Sequence, residues 1–287
     1  MRIRTKRIAR FCNLALAVLL LRCTTSGASE ELINAARVGD LERARAALRA
    51  GANPNAVDAS RSSPLRAAAE RGDLEILKLL VDAGADVNLR PDTFWSGRGL
   101  NPLSAAAQAG HEDVVRFLLA RGAQIDAHNG SGATALHYAA RGGQARTAAI
   151  LLDHGAALDV ADSHGWTPLA FAAMAYGAGD VIALLASKGA NLERRDNVGD
   201  APLHLAAGDG NVEAVTALVR AGAQLNIRKP GGATPLWLAA ARDYPRIVEI
   251  LLDAGADATI PMEDGVTPLA AARKYGNEEI VHLLTSR

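Results

Sequence analysis

The sequence predicts an all-α fold, in which short helix–turn–helix units stack side by side as a solenoid. A seven-residue segment, Thr-Pro-Leu-Trp-Leu-Ala-Ala at 234–240, recurs with small changes along most of the 287 residues. A Gly-Ala pair follows the proline position of the first six copies after 20 or 21 residues. Between the two markers, apolar residues keep helical spacing. The proline positions of the successive copies are Pro64, Pro102, Ala135, Pro168, Pro202, Pro235 and Pro268.

Each copy carries the signals that begin and end a helix. Thr234 suits an N-cap, where its hydroxyl accepts a hydrogen bond from the first turn, and Pro235 loses no hydrogen bond at the first helical position. Leu236 and the alanines at 239–240 share one face, and the small alanines let a neighbouring helix approach closely. A glycine about eight residues after the proline ends this first helix. A second helix follows, as at 247–252, and ends at the Gly-Ala pair.

Polar segments join one unit to the next. The segments at 159–165 and 195–199 are rich in Asp, Asn and Gly, which suits hairpin-like turns. Asp159, Asp162 and Asp196 are therefore interpreted as backbone caps rather than as catalytic carboxylates. One unit cannot bury its apolar face alone, so stacked neighbours must supply a continuous core.

The repeated segments resemble a known family. The runs Thr134-Ala-Leu-His-Tyr-Ala-Ala, Ala201-Pro-Leu-His-Leu-Ala-Ala and Gly84-Ala-Asp-Val-Asn are similar to the ankyrin-repeat pattern, and a period near 33 is typical of it. The resemblance covers residues 30–287 and implies an array of eight repeats within a domain at 29–287. We place the repeats near 30–60, 61–98, 99–131, 132–164, 165–198, 199–231, 232–264 and 265–287.

The resemblance also implies a protein that binds other proteins without catalysis. In ankyrin arrays the turn tips and the exposed side of the first helices form a concave binding face, and histidines such as His137 and His204 make structural hydrogen bonds. Trp166 stands out on this face, because stacking is not expected to need a tryptophan at a turn and tryptophan is enriched in binding hot spots. The candidate partner-binding residues at the corresponding positions are Leu100, Arg141, Trp166, Met174, Asp200 and Asp209.

Two places break the 33-residue period. About five extra residues lie between Asn88 and Asn101 and include Phe94 and Trp95. These two aromatic residues are candidates for partner binding, as an interaction anchor on an extended turn, or else form a plug over adjacent repeats. The segment 175–180 has one extra residue between the two helices of the fifth repeat, which predicts a longer and softer turn.

The first 28 residues differ from the array. Residues 1–10 hold five basic side chains and no acid, residues 11–21 are apolar except for Asn13, and small polar residues follow up to Ala28. This pattern predicts a secretory signal peptide cleaved after Ala28, and hence a periplasmic or secreted protein. As a helix the apolar run spans only about 16 Å, about half of the hydrocarbon core, so no membrane span is expected.

Two other interpretations of this segment remain open. Cys23 ends a Leu-Leu-Arg-Cys sequence that is similar to a lipoprotein signal, although Arg22 stands where a small residue is typical. In that case a lipid on Cys23 would anchor an envelope scaffold to the membrane. If the leader is retained, the chain would be an intracellular regulator or effector.

Charge and motifs argue against several other functions. The whole chain has 31 basic and 31 acidic residues, and removal of residues 1–28 leaves 25 basic and 31 acidic ones, a net charge of −6. This balance disfavours a nucleic-acid partner. The histidines form no metal-ligand pair, and no nucleophile elbow, phosphate-binding loop or dinucleotide fingerprint occurs. We therefore expect no metal, no cofactor and no catalysis.

The sequence thus favours an exported scaffold whose partner is another protein. The finer hypothesis is an inhibitor, immunity or accessory protein for a periplasmic or secreted enzyme. That hypothesis depends on export combined with a binding scaffold.

Overall fold

The computed structural model describes residues 27–90 and 100–286. These residues form sixteen helices and no strands, which confirms the predicted all-α solenoid. The helices come in eight pairs. The first helices of the pairs are α1 (27–38), α3 (Pro64–Arg71), α5 (Pro102–Ala109), α7 (Ala135–Arg141), α9 (Pro168–Met174), α11 (Pro202–Gly208), α13 (Pro235–Ala241) and α15 (Pro268–Tyr275). The second helices are α2 (Leu41–Arg49), α4 (Leu74–Asp82), α6 (Glu112–Ala120), α8 (Ala145–Asp153), α10 (Gly179–Ser187), α12 (Val212–Arg220), α14 (Pro245–Asp253) and α16 (Glu278–Thr285).

Side-chain caps set the helix starts. Thr234 Oγ1 accepts a hydrogen bond from the backbone N–H of Trp237 at 3.2 Å, which confirms its predicted N-cap role. A second helix begins in the same way, since Asn211 Oδ1 accepts from the N–H of Ala214 at 3.1 Å. Each bond satisfies an amide of the first turn that has no partner within its own helix.

The core runs between repeats. The leucine after the proline is buried in each first helix from α3 to α13, as at Leu65 and Leu236, and the alanines at 239–240 have no exposed surface. Because these alanines are small, consecutive first helices pack more closely than consecutive second helices over most of the array. The stack therefore curves toward the first helices. We call that side, with its turn tips, the concave face, and the side of the second helices the convex face.

Backbone hydrogen bonds also join the turn tips. The N–H of Ser163 donates to the carbonyl oxygen of Ser131 at 2.7 Å, and the N–H of Asn197 donates to that of His164 at 2.9 Å. The tips of successive turns are thus held side by side, one repeat apart.

A second set of bonds joins the loops that follow the second helices, and sequence reasoning missed it. Asn55 Oδ1 accepts from the N–H of Asp86 at 2.7 Å, and Asn88 Oδ1 accepts from that of Gln124 at 2.8 Å. Each bond links one repeat to the next. Equivalent bonds are accepted by Asp126, Asp159, Glu193 and Asn226.

Some predicted features lie outside the described residues. They are the leader up to residue 26, including Cys23, and the aromatic pair Phe94 and Trp95. Across 27–90 and 100–286, none of the helices has the length and apolar character needed to cross a membrane.

The stacking core can be tested at Leu218 on α12, which is fully buried, as its spacing predicts. Leu218→Ala should lower the free energy of unfolding by ~2–5 kcal/mol, because it leaves a cavity between repeats. Glu249→Ala, on the surface of α14, is the control and should change it by at most about 0.5 kcal/mol. Thermal unfolding followed by circular dichroism measures both. An unchanged melting temperature for Leu218→Ala would contradict the assigned core.

Candidate partner-binding site

The concave face has a depression of about 370 Å³ at the fifth repeat. It lies at the ends of α7 and α9, and most of its lining is aromatic or apolar. Three of the predicted partner-binding residues meet here. We call it the aromatic depression, and its lining residues are Arg141, Trp166, Phe171, Met174, Ala175 and Tyr176.

Trp166 lies in the turn before α9 and is half-buried. Its backbone N–H donates to Asp162 Oδ1 at 3.0 Å, which confirms the predicted cap, and its indole Nε1 donates to Asp196 Oδ2 of the next turn at 2.9 Å. The imidazole of His164 stacks on the indole, with ring centroids 4.7 Å apart. The prediction that stacking does not need this tryptophan is wrong, because its indole joins two turns. The side chain also lines the aromatic depression.

Phe171 forms the base of the aromatic depression. It is only 9% exposed, so most of its ring packs within the array. Its ring meets that of Trp166 edge-on, with centroids 6.1 Å apart, and lies 5.0 Å from the imidazole of His137. Edge-to-face contacts of this kind stabilise aromatic clusters, so the base is preorganised.

The extra residue of the fifth repeat shapes one side of the aromatic depression. After α9 ends at Met174, Ala175 takes extended backbone angles (φ −94°, ψ 132°) instead of the left-handed angles of the glycines that cap α3, α5 and α15. Tyr176 follows and is 75% exposed. Its hydroxyl donates to the carbonyl oxygen of Asp209 at 3.2 Å, which holds the ring beside the depression. Sequence reasoning did not select Tyr176, although the insertion beside it was the available signal.

The turn after Tyr176 is longer, as predicted, but it is also tied to the next repeat. Glu213 on α12 accepts two backbone hydrogen bonds, through Oε2 from Gly177 and through Oε1 from Gly179, each at 3.0 Å. The turn is therefore held at two points, in contrast to the soft turn that the sequence predicts.

Arg141 supplies a positive charge at the edge of this apolar surface. It is the last residue of α7 and is exposed. Among the described residues no acidic side chain forms an ion pair with it, and the lining holds no Asp or Glu. Burial raises the pKa of Tyr138, and the charge of Arg141 on the same helix opposes part of that rise. The aromatic depression is thus apolar with one uncompensated cation.

The remaining predicted residues lie elsewhere. Asp200 and Asp209 line a smaller cavity of about 120 Å³ between α11 and α13. The carboxylate of Asp200 pairs with Lys229 Nζ at 2.6 Å, so its charge is used within the array, whereas Asp209 is exposed. Leu100 is half-buried against the core and lines neither cavity.

A larger groove of about 730 Å³ lies on the convex face between α10 and α12. Small residues such as Ala183 and Ala217 line it, with the exposed charges of Asp180 and Arg220 beside them. It has no aromatic lining residue, and the carboxylate of Glu213 within it already accepts two bonds. Because binding hot spots are rich in aromatic residues, the smaller concave depression is the better candidate.

His137 and His204 are structural, as predicted. His137 Nδ1 accepts from the N–H of Thr134 at 3.1 Å, and its Nε2 donates to the carbonyl oxygen of Trp166 at 3.1 Å. His204 makes the equivalent pair of bonds at 3.2 and 3.1 Å. Both rings must be neutral, because a protonated Nδ1 cannot accept. Burial lowers the pKa of both imidazoles, so the folded array resists their protonation.

This lowered pKa predicts a loss of stability in mild acid. Free histidine has a pKa of about 6.5, so the unfolded chain binds protons at a pH where folded His137 and His204 stay neutral. The contribution of the two neutral histidines to the free energy of unfolding should be complete above about pH 6.5. It should decrease as the pH falls below that value, by up to about 1.4 kcal/mol per pH unit for each histidine. Urea unfolding at pH 7.5 and 5.5 measures the difference. The double variant His137→Gln, His204→Gln should show a smaller difference; an equal one would contradict the assignment, and His282→Gln, at an exposed site on α16, is the control.

Stacked helix pairs with a concave face define a helical-repeat scaffold for interactions. A family model of ankyrin repeats matches residues 32–129, 122–196 and 203–287. The matches cover most of the sequence, and the chain belongs to the ankyrin-repeat family. Ankyrin repeats are non-catalytic interaction modules, which indicates a protein-binding scaffold.

Two curated proteins are similar over a length of about two repeats. E3 ubiquitin-protein ligase XBAT32 of Arabidopsis thaliana is 46% identical over 72 residues, which is 24% of this chain and 13% of that protein. Probable E3 ubiquitin-protein ligase XBOS32 of Oryza sativa subsp. japonica is 46% identical over 72 residues, 24% of this chain and 14% of that protein. The chain therefore matches only a small part of these relatives.

Proposed function

We propose that this chain is an exported scaffold that binds another protein on its concave face, at and around the aromatic depression. One observation carries the proposal: exposed Tyr176, half-buried Trp166 and the charge of Arg141 meet in one depression. Tyrosine, tryptophan and arginine are the residue types enriched in protein-binding hot spots.

Binding without catalysis agrees with the chemistry of the array. The carboxylates of Asp162 and Asp196 accept bonds from turn amides, and the buried histidines bond to the backbone. Across the described ranges, no group of three His, Cys, Asp or Glu side chains could hold a metal ion. These polar groups therefore hold the turns and repeats together. The exposed surface is the remaining candidate for binding.

Export is supported by the composition of residues 1–28. Helix α1 starts at residue 27 and Ala28 packs against the core, but two polar contacts of α1 lie beyond the proposed cleavage site. Ser29 Oγ accepts from the N–H of Asn53 at 3.0 Å, and Glu31 pairs with Arg43 at 2.6 Å. Cleavage after Ala28 would leave both contacts in place.

The finer proposal concerns the partner. An exported scaffold of this kind would act on a periplasmic or secreted enzyme, as its inhibitor, its immunity protein or an accessory factor. This finer proposal rests on the export pattern and the binding face together. Measuring the activity of a captured enzyme with and without the chain tests it.

Export can be tested by intact-protein mass spectrometry on fractionated cells of the native host. The expected result is a mature N-terminus at Ser29 in the periplasmic or secreted fraction, unchanged in Cys23→Ser. An acylated Cys23 in the membrane fraction, lost in Cys23→Ser, would favour the envelope scaffold instead. Intact Met1 in the cytosol would contradict export and favour the intracellular regulator.

The binding face can be tested by affinity capture from the same host with matched variants. The concave variant Arg141→Glu, Tyr176→Ala, Asp209→Lys should weaken capture of the partner at least ~30-fold, because it alters hot-spot positions. The convex variant Arg146→Glu, Thr216→Ala, Asp113→Lys makes equivalent changes on the second-helix side, with the lysine on α6 and away from Glu213, and should retain it. Loss of the partner in the convex variant alone would overturn the assignment of the face. Equal melting temperatures for the two variants would show that loss of capture is not caused by unfolding.

A further inference from the structure

We infer that the aromatic depression takes a segment of the partner in which a large apolar side chain lies close to an acidic one. This inference rests on the proposed function and specifies the partner that the site fits. It commits to an extended acidic–apolar peptide segment, either in a loop or at a terminus of the partner.

The size of the aromatic depression suits a side chain rather than a folded element. Its volume of about 370 Å³ is near the lower end of the ~300–1,000 Å³ range of ligand clefts. A helix laid across the face would need a groove that continues along several repeats. A neighbouring cavity between α11 and α13 has only about 120 Å³, and its lining includes the charged residues Asp200, Asp209, Lys229 and Arg242.

The lining selects an apolar anchor. Phe171 supplies the base and Trp166 a wall, and the two rings are fixed by their edge-to-face contact and by the bond from the indole to Asp196. Met174 adds a flexible thioether that adapts to the shape of an inserted group. Because base and wall are held before binding, little conformational entropy is lost when the anchor enters.

The charge selects an acid beside that anchor. Three aromatic rings alone would also suit a cation, which binds over ring faces. Here Arg141 is part of the lining and would repel a cation, and no carboxylate of the lining compensates it. A carboxylate on the ligand gains a charge-assisted hydrogen bond to the guanidinium instead.

Backbone geometry gives the spacing of the two side chains. In an extended segment, residues i and i+2 project to the same side, about 6.6 Å apart at ~3.3 Å per residue. The apolar anchor and the acid can therefore enter the same depression when one residue separates them. The expected motif is a large apolar residue, any residue, then Asp or Glu, in either chain direction.

A display library of random 12-residue peptides, selected on the immobilised protein, tests the inference. Peptides with the apolar–any–acid motif should be enriched. A selected peptide should bind Arg141→Glu and Tyr176→Ala at least ~30-fold more weakly by fluorescence anisotropy, the hot-spot scale. Selection on Arg141→Glu should replace the acid in the motif by Lys or Arg. Arg146→Glu is the matched control, since its side chain is 89% exposed on α8 of the same repeat, and it should bind like the parent.

Each other outcome overturns the inference. These outcomes are the absence of an enriched motif, a motif that is basic or lacks charge, and a motif whose peptides bind Arg141→Glu as tightly as the parent. A further outcome is that the enriched peptides lose affinity with Asp209→Lys but not with Arg141→Glu. In that case they bind on the concave face beside the aromatic depression, so the inference fails and the proposed function stands. If they lose affinity only with the convex variant, the proposed function fails as well. Melting curves of each variant exclude unfolding as the cause.

Discussion

Every repeat of this chain buries its apolar surface against its neighbours, and none can bury it alone. The contact begins with the paired alanines of the first helices, such as those at 239–240, which let one helix approach the next closely. Close approach on one side and wider spacing on the other bend the stack, so the same small residues that build the core also produce the concave face. Folding and binding surface therefore have one origin, and a larger residue at an alanine position would disturb both.

Polar groups reinforce this contact across the repeat boundary. Asn55 and its equivalents accept amide hydrogen bonds from the next loop, and His137 and His204 connect a helix start to the following turn. Each bond satisfies a backbone group that stacking removes from water, and such groups are costly when left unpaired. Adjacent repeats are thus joined by apolar contacts in the core and by hydrogen bonds at the turn tips and at the loops.

The sequence predicts the helices well because their signals are local. Thr234 and Pro235 define a helix start within a few residues, and the structure reproduces it. The role of Asn55 is harder to predict, because an asparagine in a turn also suits a local cap. Its observed partner, the amide of Asp86, lies 31 residues away. The aromatic depression was only partly predictable for the same reason. Trp166 and Arg141 stand at recognisable positions, but Tyr176 reaches the site only because one inserted residue redirects the backbone at Ala175.

The carboxylate of Glu213 gives the two faces a mechanical connection. It stands on the second-helix side, in the groove between α10 and α12, yet it accepts hydrogen bonds from the amides of Gly177, which directly follows Tyr176, and of Gly179, the first residue of α10. A molecule that occupied that groove and drew the carboxylate away would release the loop that supports the tyrosine. Under the proposed function, the affinity of the concave face for its partner would thereby be open to control from the convex face, by a molecule that never touches the partner.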